Sequence, residues 1–131
     1  MISELRKQAP QKSVLSWFDS CKEEQLYTSS LCIGELHYGI SILPDGRKRN
    51  DLLVWFDEVC EAFSNKILPI TATICIIWGH MRARARRDGK TLPVIDGLLA
   101  ATAQVHDMIL VTRNTADVEI TGVRVLNPWK E

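Results

Sequence analysis

Three carboxylates stand where a side chain could do more than face water: Glu35 inside an amphipathic stretch, Asp96 in Leu92-Pro93-Val94-Ile95-Asp96-Gly97, and Asp117 in Thr112-Arg113-Asn114-Thr115-Ala116-Asp117. Each alone has an ordinary explanation. Glu35 reads as a boundary residue with its stem on the core, Asp96 as an acid compensating a helix dipole, and Asp117 as a turn-stabilising Asp. Together they say something else, because converging carboxylates repel one another and raise each other's pKa. Such a group needs a counter-ion. Oxygen ligands without a His/Cys set suit a hard divalent cation, Mg²⁺ or Mn²⁺. A site of that kind lowers the pKa of a bound water for attack on phosphorus and shields the leaving oxygen. Neither a Walker lysine loop nor G-x-G-x-x-G occurs, which argues against nucleotide binding of those kinds.

The elements that must position these acids follow from periodicity. Ser30 to Leu43 reads as a helix with Ser30 as N-cap, Ile33, Leu36, Ile40 and Leu43 on its core face, and Pro44-Asp45-Gly46 as its stop. Glu35 falls on the flank of that face, expected half in water, with Gly39 one turn on leaving room for approach. A helix is expected over 13–21, a short strand over 26–29, a helix over 47–63 carrying Leu52, Leu53, Trp55, Phe56, Val59 and Phe63, and a second strand over 67–70. Thr71 or Thr73 should start a helix running to about Asp88-Gly89, and Pro93 opens another through His106. Residues 108–112 read as the clearest buried strand, and 122–126 as the last. Continuous apolar strands alternating with helices argue an α/β fold with a parallel sheet covered on both faces, and ligands of such sheets bind beyond the strands' carboxyl ends. Asp96, in the first turn of its helix and on one face with Ala100 and Ala103, is expected to have a low pKa.

A chain of 131 residues, 46% hydrophobic and 24% charged, fits a single globular domain over 1–131. Its longest apolar run, near Ile74 to Trp78, is far short of the roughly 20 residues of a membrane span, and the N-terminus turns charged at once, giving a cytoplasmic address as the expectation. Cys21, Cys32, Cys60 and Cys75 show no zinc-ligand spacing and read as reduced and mostly buried; His37, His80 and His106 read as surface or boundary residues. Formal net charge is zero, so any nucleic-acid binding must come from a local patch. The run His80-Met81-Arg82-Ala83-Arg84-Ala85-Arg86-Arg87-Asp88-Gly89-Lys90 is the one strong basic concentration. Arg82 and Arg86 share a helix face suited to RNA phosphates, whereas Arg84 and Arg87 fit equally well as cations complementing a helix C-terminus. Trp17, Trp55 and Trp78 read as core or interface residues.

Glu35-Leu36-His37-Tyr38-Gly39-Ile40, Leu43-Pro44-Asp45-Gly46, Asp96-Gly97-Leu98-Leu99-Ala100-Ala101-Thr102-Ala103, Val111-Thr112-Arg113-Asn114 and Asn127-Pro128-Trp129, in this order and spacing, resemble the PIN-domain toxins of the VapC and FitB type. The resemblance runs from Ile2-Ser3-Glu4-Leu5 to the end. It implies a PIN-like three-layer α/β/α domain and a metal-dependent endoribonuclease toxin, with tRNA among the candidate substrates, a cognate antitoxin and a homodimer. By motif position Glu35 and Asp96 would be metal ligands, Asn114 and Asp117 the family's less regular fourth polar group, and Thr112 a residue orienting a metal-bound water. Family members usually open with an apolar central strand ending in Asp-Thr-Asn, which would precede Met1 here. The expectation is therefore a sheet without its first central strand, which rearranges or borrows one, and impaired cleavage; Glu4 is a poor substitute for that Asp. Two rivals stand beside the nuclease: an inactive toxin remnant that binds an antitoxin, and another metal-dependent phosphoryl-transfer enzyme.

Overall fold

The computed structural model describes residues 25–128. The helix expected over 13–21, with Trp17 and Cys21, and the residues Glu4 and Trp129 lie outside them. Two compact units divide the chain: residues 25–69 belong to one and 70–128 to the other.

In the first unit the order is strand β1 (Thr28–Ser29), helix α1 (Ser30–Ser41), helix α2 (Arg47–Ala62) and strand β2 (Ile67–Leu68). β1 and β2 pair in parallel, Thr28 opposite Ile67 and Ser29 opposite Leu68. The ladder is shorter than the expected strands, and Pro69, which has no N–H to donate, ends it. Ser29 is the N-cap of α1, one residue before the expected Ser30: its backbone is extended and its hydroxyl accepts from the Leu31 N–H at 3.1 Å. Ser30 instead donates to the Leu68 carbonyl oxygen at 3.4 Å, tying the helix start to β2. Helix α1 ends at the C-cap Ile42, before the expected stop at Pro44. Of its expected core face only Ile40 is fully buried, with Ile33, Leu36 and Leu43 half-buried. Helix α2 buries no residue completely, and its apolar positions Leu52, Leu53, Trp55, Phe56, Val59 and Phe63 are all half-buried. His37 is exposed, with its Nδ1 3.1 Å from the Ser41 hydroxyl and its ring edge-on to Phe56 at 5.0 Å.

In the second unit come helix α3 (Ala72–Arg87), helix α4 (Val94–Val105), strand β3 (Leu110–Val111), a short helix α5 (Thr115–Val118) continued by a 3₁₀ turn (Glu119–Thr121), and strand β4 (Val125–Leu126). Thr71 is the cap that begins α3, its hydroxyl accepting from Ile74 N–H at 3.2 Å. The helix ends in a Schellman motif. Gly89, at φ 71°, lets Lys90 N–H reach the Ala85 carbonyl at 2.9 Å and its own N–H reach Arg86 at 3.0 Å. Helix α4 ends likewise: Asp107, at φ 53°, is followed by a 2.8 Å bond from Met108 N–H to the Ala103 carbonyl. Asp107 also accepts from the Arg124 guanidinium at 3.0 Å.

The core of this unit is Ile74, Met81, Ala85, Leu92, Ala100, Ala101 and Val118, with Ile70, Ile77, Trp78, Leu110, Ile120, Val123 and Val125 packed around it. Small residues on α4 let α3 lie close, and Gly97 is the tightest point. A Cβ there would stand 2.9 Å from Trp78 Cδ1 and 3.0 Å from Leu92 Cγ and Cδ2. β3 and β4 pair in parallel, Leu110 opposite Val125 and Val111 opposite Leu126. The parallel sense agrees with the expected α/β architecture, and among the described residues it is carried by two separate two-stranded ladders. β3 is half-buried, and Ile109 beside it is half exposed, so the strand is less deeply covered than its apolar run suggests. Cys32 and Cys60 are free and half-buried, whereas Cys75 is free and exposed, because it lies on the side of α3 away from Ile74. No helix among the described residues is long and apolar enough to cross a membrane.

Candidate active site

Asp96 occupies the third position of α4, and the short helix carrying Asp117 follows directly after β3. The turn from strand to helix is built by polar bonds. Thr112 N–H donates to the Leu126 carbonyl at 3.1 Å, extending the β3–β4 ladder. The Thr112 hydroxyl then accepts from Asn114 N–H at 3.1 Å, an ST-turn that bends the chain. Asp117 N–H closes on the Asn114 carbonyl at 3.2 Å. Asn127 steadies the same turn through Nδ2, 3.5 Å from the Arg113 carbonyl.

This turn brings Asn114 and Asp117 to Asp96. Burial pushes the Asp96 carboxyl above the usual carboxylate range, the Asp117 carboxylate pushes it the same way, and a hydrogen bond from the Asn114 side chain partly opposes both. The low pKa expected from the helix start is therefore overturned. Desolvation and a like charge outweigh the dipole, whose effect is confined to the first turn. Two carboxylates, a side-chain amide and a hydroxyl thus gather at the carboxyl end of β3, where the rule for parallel sheets places ligands.

Glu35 belongs to the other unit. It is exposed rather than half-buried as expected, on a side of α1 where a Cβ built at Gly34 or Gly39 meets nothing within 4 Å. Among the described residues no group of three or more His, Cys, Asp and Glu side chains is close enough to hold a metal ion. The Asp96–Asp117 pair nonetheless has the chemistry of a cation site. Asp117 disfavours the charged form of Asp96, both carboxylates offer oxygen ligands, and a hard divalent cation would relieve that repulsion.

Arg82 and Arg86 are both exposed on α3. The Arg82 guanidinium lies 5.6 Å from the Trp78 ring centroid, a cation–π contact between residues one helical turn apart. Arg84, Arg86 and Arg87 fill the last turn, where cations complement the helix C-terminus. The role of Trp78 beneath Arg82 and beside Gly97 was not read from the sequence; the i, i+4 spacing of Trp78 and Arg82 was the available signal.

The sequence matches the family profile described as PIN domain over residues 2–120. It is 34% identical over 131 residues to VapC ribonuclease Y4jK of Sinorhizobium fredii, spanning 99% of this chain and 94% of that protein. It is 33% identical over 132 residues to Toxin FitB of Neisseria gonorrhoeae, spanning 95% of that protein. The fold superposes on the crystal structure of FitAcB from Neisseria gonorrhoeae with a TM-score of 0.94 at 33% identity, covering 99% of this chain and 94% of that one. With the family profile spanning most of the chain and full-length relatives of this similarity, the chain belongs to the PIN domain family.

Proposed function

We propose that this protein is a metal-dependent endoribonuclease toxin that cuts RNA, with tRNA as the first substrate to test. The observation that carries the reading is half-buried Asp96 with Asp117 beside it and Asn114 donating to it: a carboxylate that loses water and faces a second carboxylate is unfavourable until a cation joins it. The relatives named as a ribonuclease and a toxin support the class of reaction. One family profile running across both compact units supports reading 1–131 as a single domain.

Asp96 and Asp117 would hold Mg²⁺ or Mn²⁺, with Glu35 joining them by its match to the family motif rather than by any contact described above. When bound, such an ion lowers the pKa of a water and stabilises charge on phosphate oxygens. The protein's own residues do the rest. Asn114 donates to Asp96 and holds its carboxylate in one orientation, while Thr112 fixes Asn114 through the backbone and has a hydroxyl able to orient a water. Arg82 and Arg86 supply guanidinium forks for the RNA backbone. A cognate antitoxin and self-association complete the proposal, supported by the likeness to the solved FitAcB structure.

The test is cleavage of a cellular tRNA pool with Mn²⁺ or Mg²⁺, with chelator, and by Asp96→Asn. Cleavage that requires metal and vanishes in the variant is the expected result. Cleavage that survives both treatments overturns the site, and phosphomonoester hydrolysis without RNA cleavage points to the other phosphoryl-transfer class. A second reading is an inactive remnant that only binds an antitoxin. Antitoxin capture by a folded protein that cuts no RNA would establish it.

A further inference from the structure

The contact between Gly97 and the Trp78–Leu92 pair adjoins the candidate site and is explained by no part of the proposed chemistry. Gly97 is buried, and the Cβ it lacks would meet the rigid indole of Trp78 at 2.9 Å and the Leu92 side chain at 3.0 Å. Trp78 is half-buried and packs on the core of its unit, and Leu92 is 4% exposed, so a Cβ at Gly97 would meet side chains already held by packing. Gly97 N–H donates to the Pro93 carbonyl at 2.8 Å, which makes it part of the first turn of α4, the turn that carries Asp96. Glycine is a poor helix former, and nothing at this position needs its conformational freedom, because a positive φ occurs at Gly46, Gly89 and Gly122 and not here. Close approach is what the glycine provides.

We infer that Gly97 is a positioning residue for the proposed metal site: its bare Cα seats the first turn of α4 against Trp78 and Leu92, and this seat sets Asp96 relative to Asp117 and Asn114. The inference rests on the metal-site reading of that cluster. A methyl group at Gly97 forces a shift of the Trp78 or Leu92 side chain or of the first turn of α4. On this inference the turn gives way, which moves the neighbouring Asp96 relative to its partners on the β3–α5 turn. Carboxylate pairs that share a cation tolerate only about half an ångström of misplacement.

The test compares the full-length wild type with Gly97→Ala, Trp78→Ala/Gly97→Ala and Met81→Ala, each well below its melting midpoint. Met81→Ala is a control that loosens the same core away from the Gly97 contact. Mn²⁺ affinity is read by electron paramagnetic resonance. Independently, the Asn114 side-chain amide resonances are followed by NMR without metal. Gly97→Ala should bind Mn²⁺ about tenfold more weakly and shift the Asn114 amide signals, as outer-shell changes at metal sites commonly do. Met81→Ala should do neither, and the double variant should regain part of the affinity because the closest contact is gone. Wild-type affinity in Gly97→Ala, or an equal loss in Met81→Ala, overturns the inference. If the wild type binds no Mn²⁺, the metal reading fails, and the Asn114 signals still decide the positioning role: shifted in Gly97→Ala alone they support it, unshifted they overturn it.

Discussion

Asp96 is central to the proposed chemistry, and its environment makes a stability prediction independent of any substrate. Its carboxyl is raised by burial first and by Asp117 second. A carboxyl raised in the folded state binds its proton more tightly there than in the unfolded chain. Its contribution to stability is thus complete below the ordinary carboxylate pKa and is lost as pH rises from that value through the raised one. Asp96→Asn should remove that loss. Thermal melts across pH 3–7 should show a smaller decline with rising pH in the variant, and a midpoint at neutral pH higher by about 1–2 °C, since solvent screens part of the repulsion. An unchanged or steeper decline would contradict the geometry. Millimolar Mn²⁺ should raise the wild-type midpoint and leave that of Asp96→Asn in place, because only a ligand that binds the folded state stabilises it.

At the scale of elements, α3 and α4 are the pair that carries the second unit, and their ends are defined by side chains and backbone geometry together. Thr71 caps α3 by accepting from Ile74 N–H, and Ile74 is itself fully buried in the core. Thr71→Ala leaves that donor without its partner at the start of the best-packed helix. It should cost about 1 kcal/mol, read as a lower urea midpoint with an unchanged slope. Ser at the same position should restore most of the loss. An equal loss in Thr71→Ser would show that the methyl group, and not the cap, was responsible. The order of helices and strands was legible because apolar spacing of 3.6 and short β-branched runs are local properties. Helix ends were legible to within a residue or two where Thr71, Pro93 and Gly89 mark them, and the cap of α1 moved by one residue because Ser29 and Ser30 are both able to cap. Strand lengths were overestimated, since ladder bonds depend on a partner strand that no local pattern reveals.

Across the whole molecule, zero net charge leaves RNA attraction to one basic helix end. Replacing Arg82 and Arg86 together by Ala should reduce the slope of log affinity against log salt by roughly 1.4 for single-stranded RNA, two phosphate contacts at about 0.7 each. Fluorescence anisotropy with a metal-binding-deficient background would read it without cleavage. A full slope in the double variant would assign RNA binding elsewhere, and loss through Arg82 alone would single out the guanidinium stacked on Trp78.

The sequence by itself determined the α/β class, the order of the described elements and the PIN-family resemblance, and it named the candidate acids, because periodicity, capping residues and motif order are written along the chain. Only the tertiary structure decided which acids meet. Asp96 and Asp117 are neighbours because the Thr112–Asn114 turn folds the end of β3 back toward α4, a contact across 21 positions of sequence. The pKa of Asp96 reversed from its expected direction for the same reason: a helix dipole is local and predictable, whereas burial and a second carboxylate arrive with the fold. Glycine is a poor helix former in general. Beside the Trp78 indole, Gly97 becomes the place where two helices can touch.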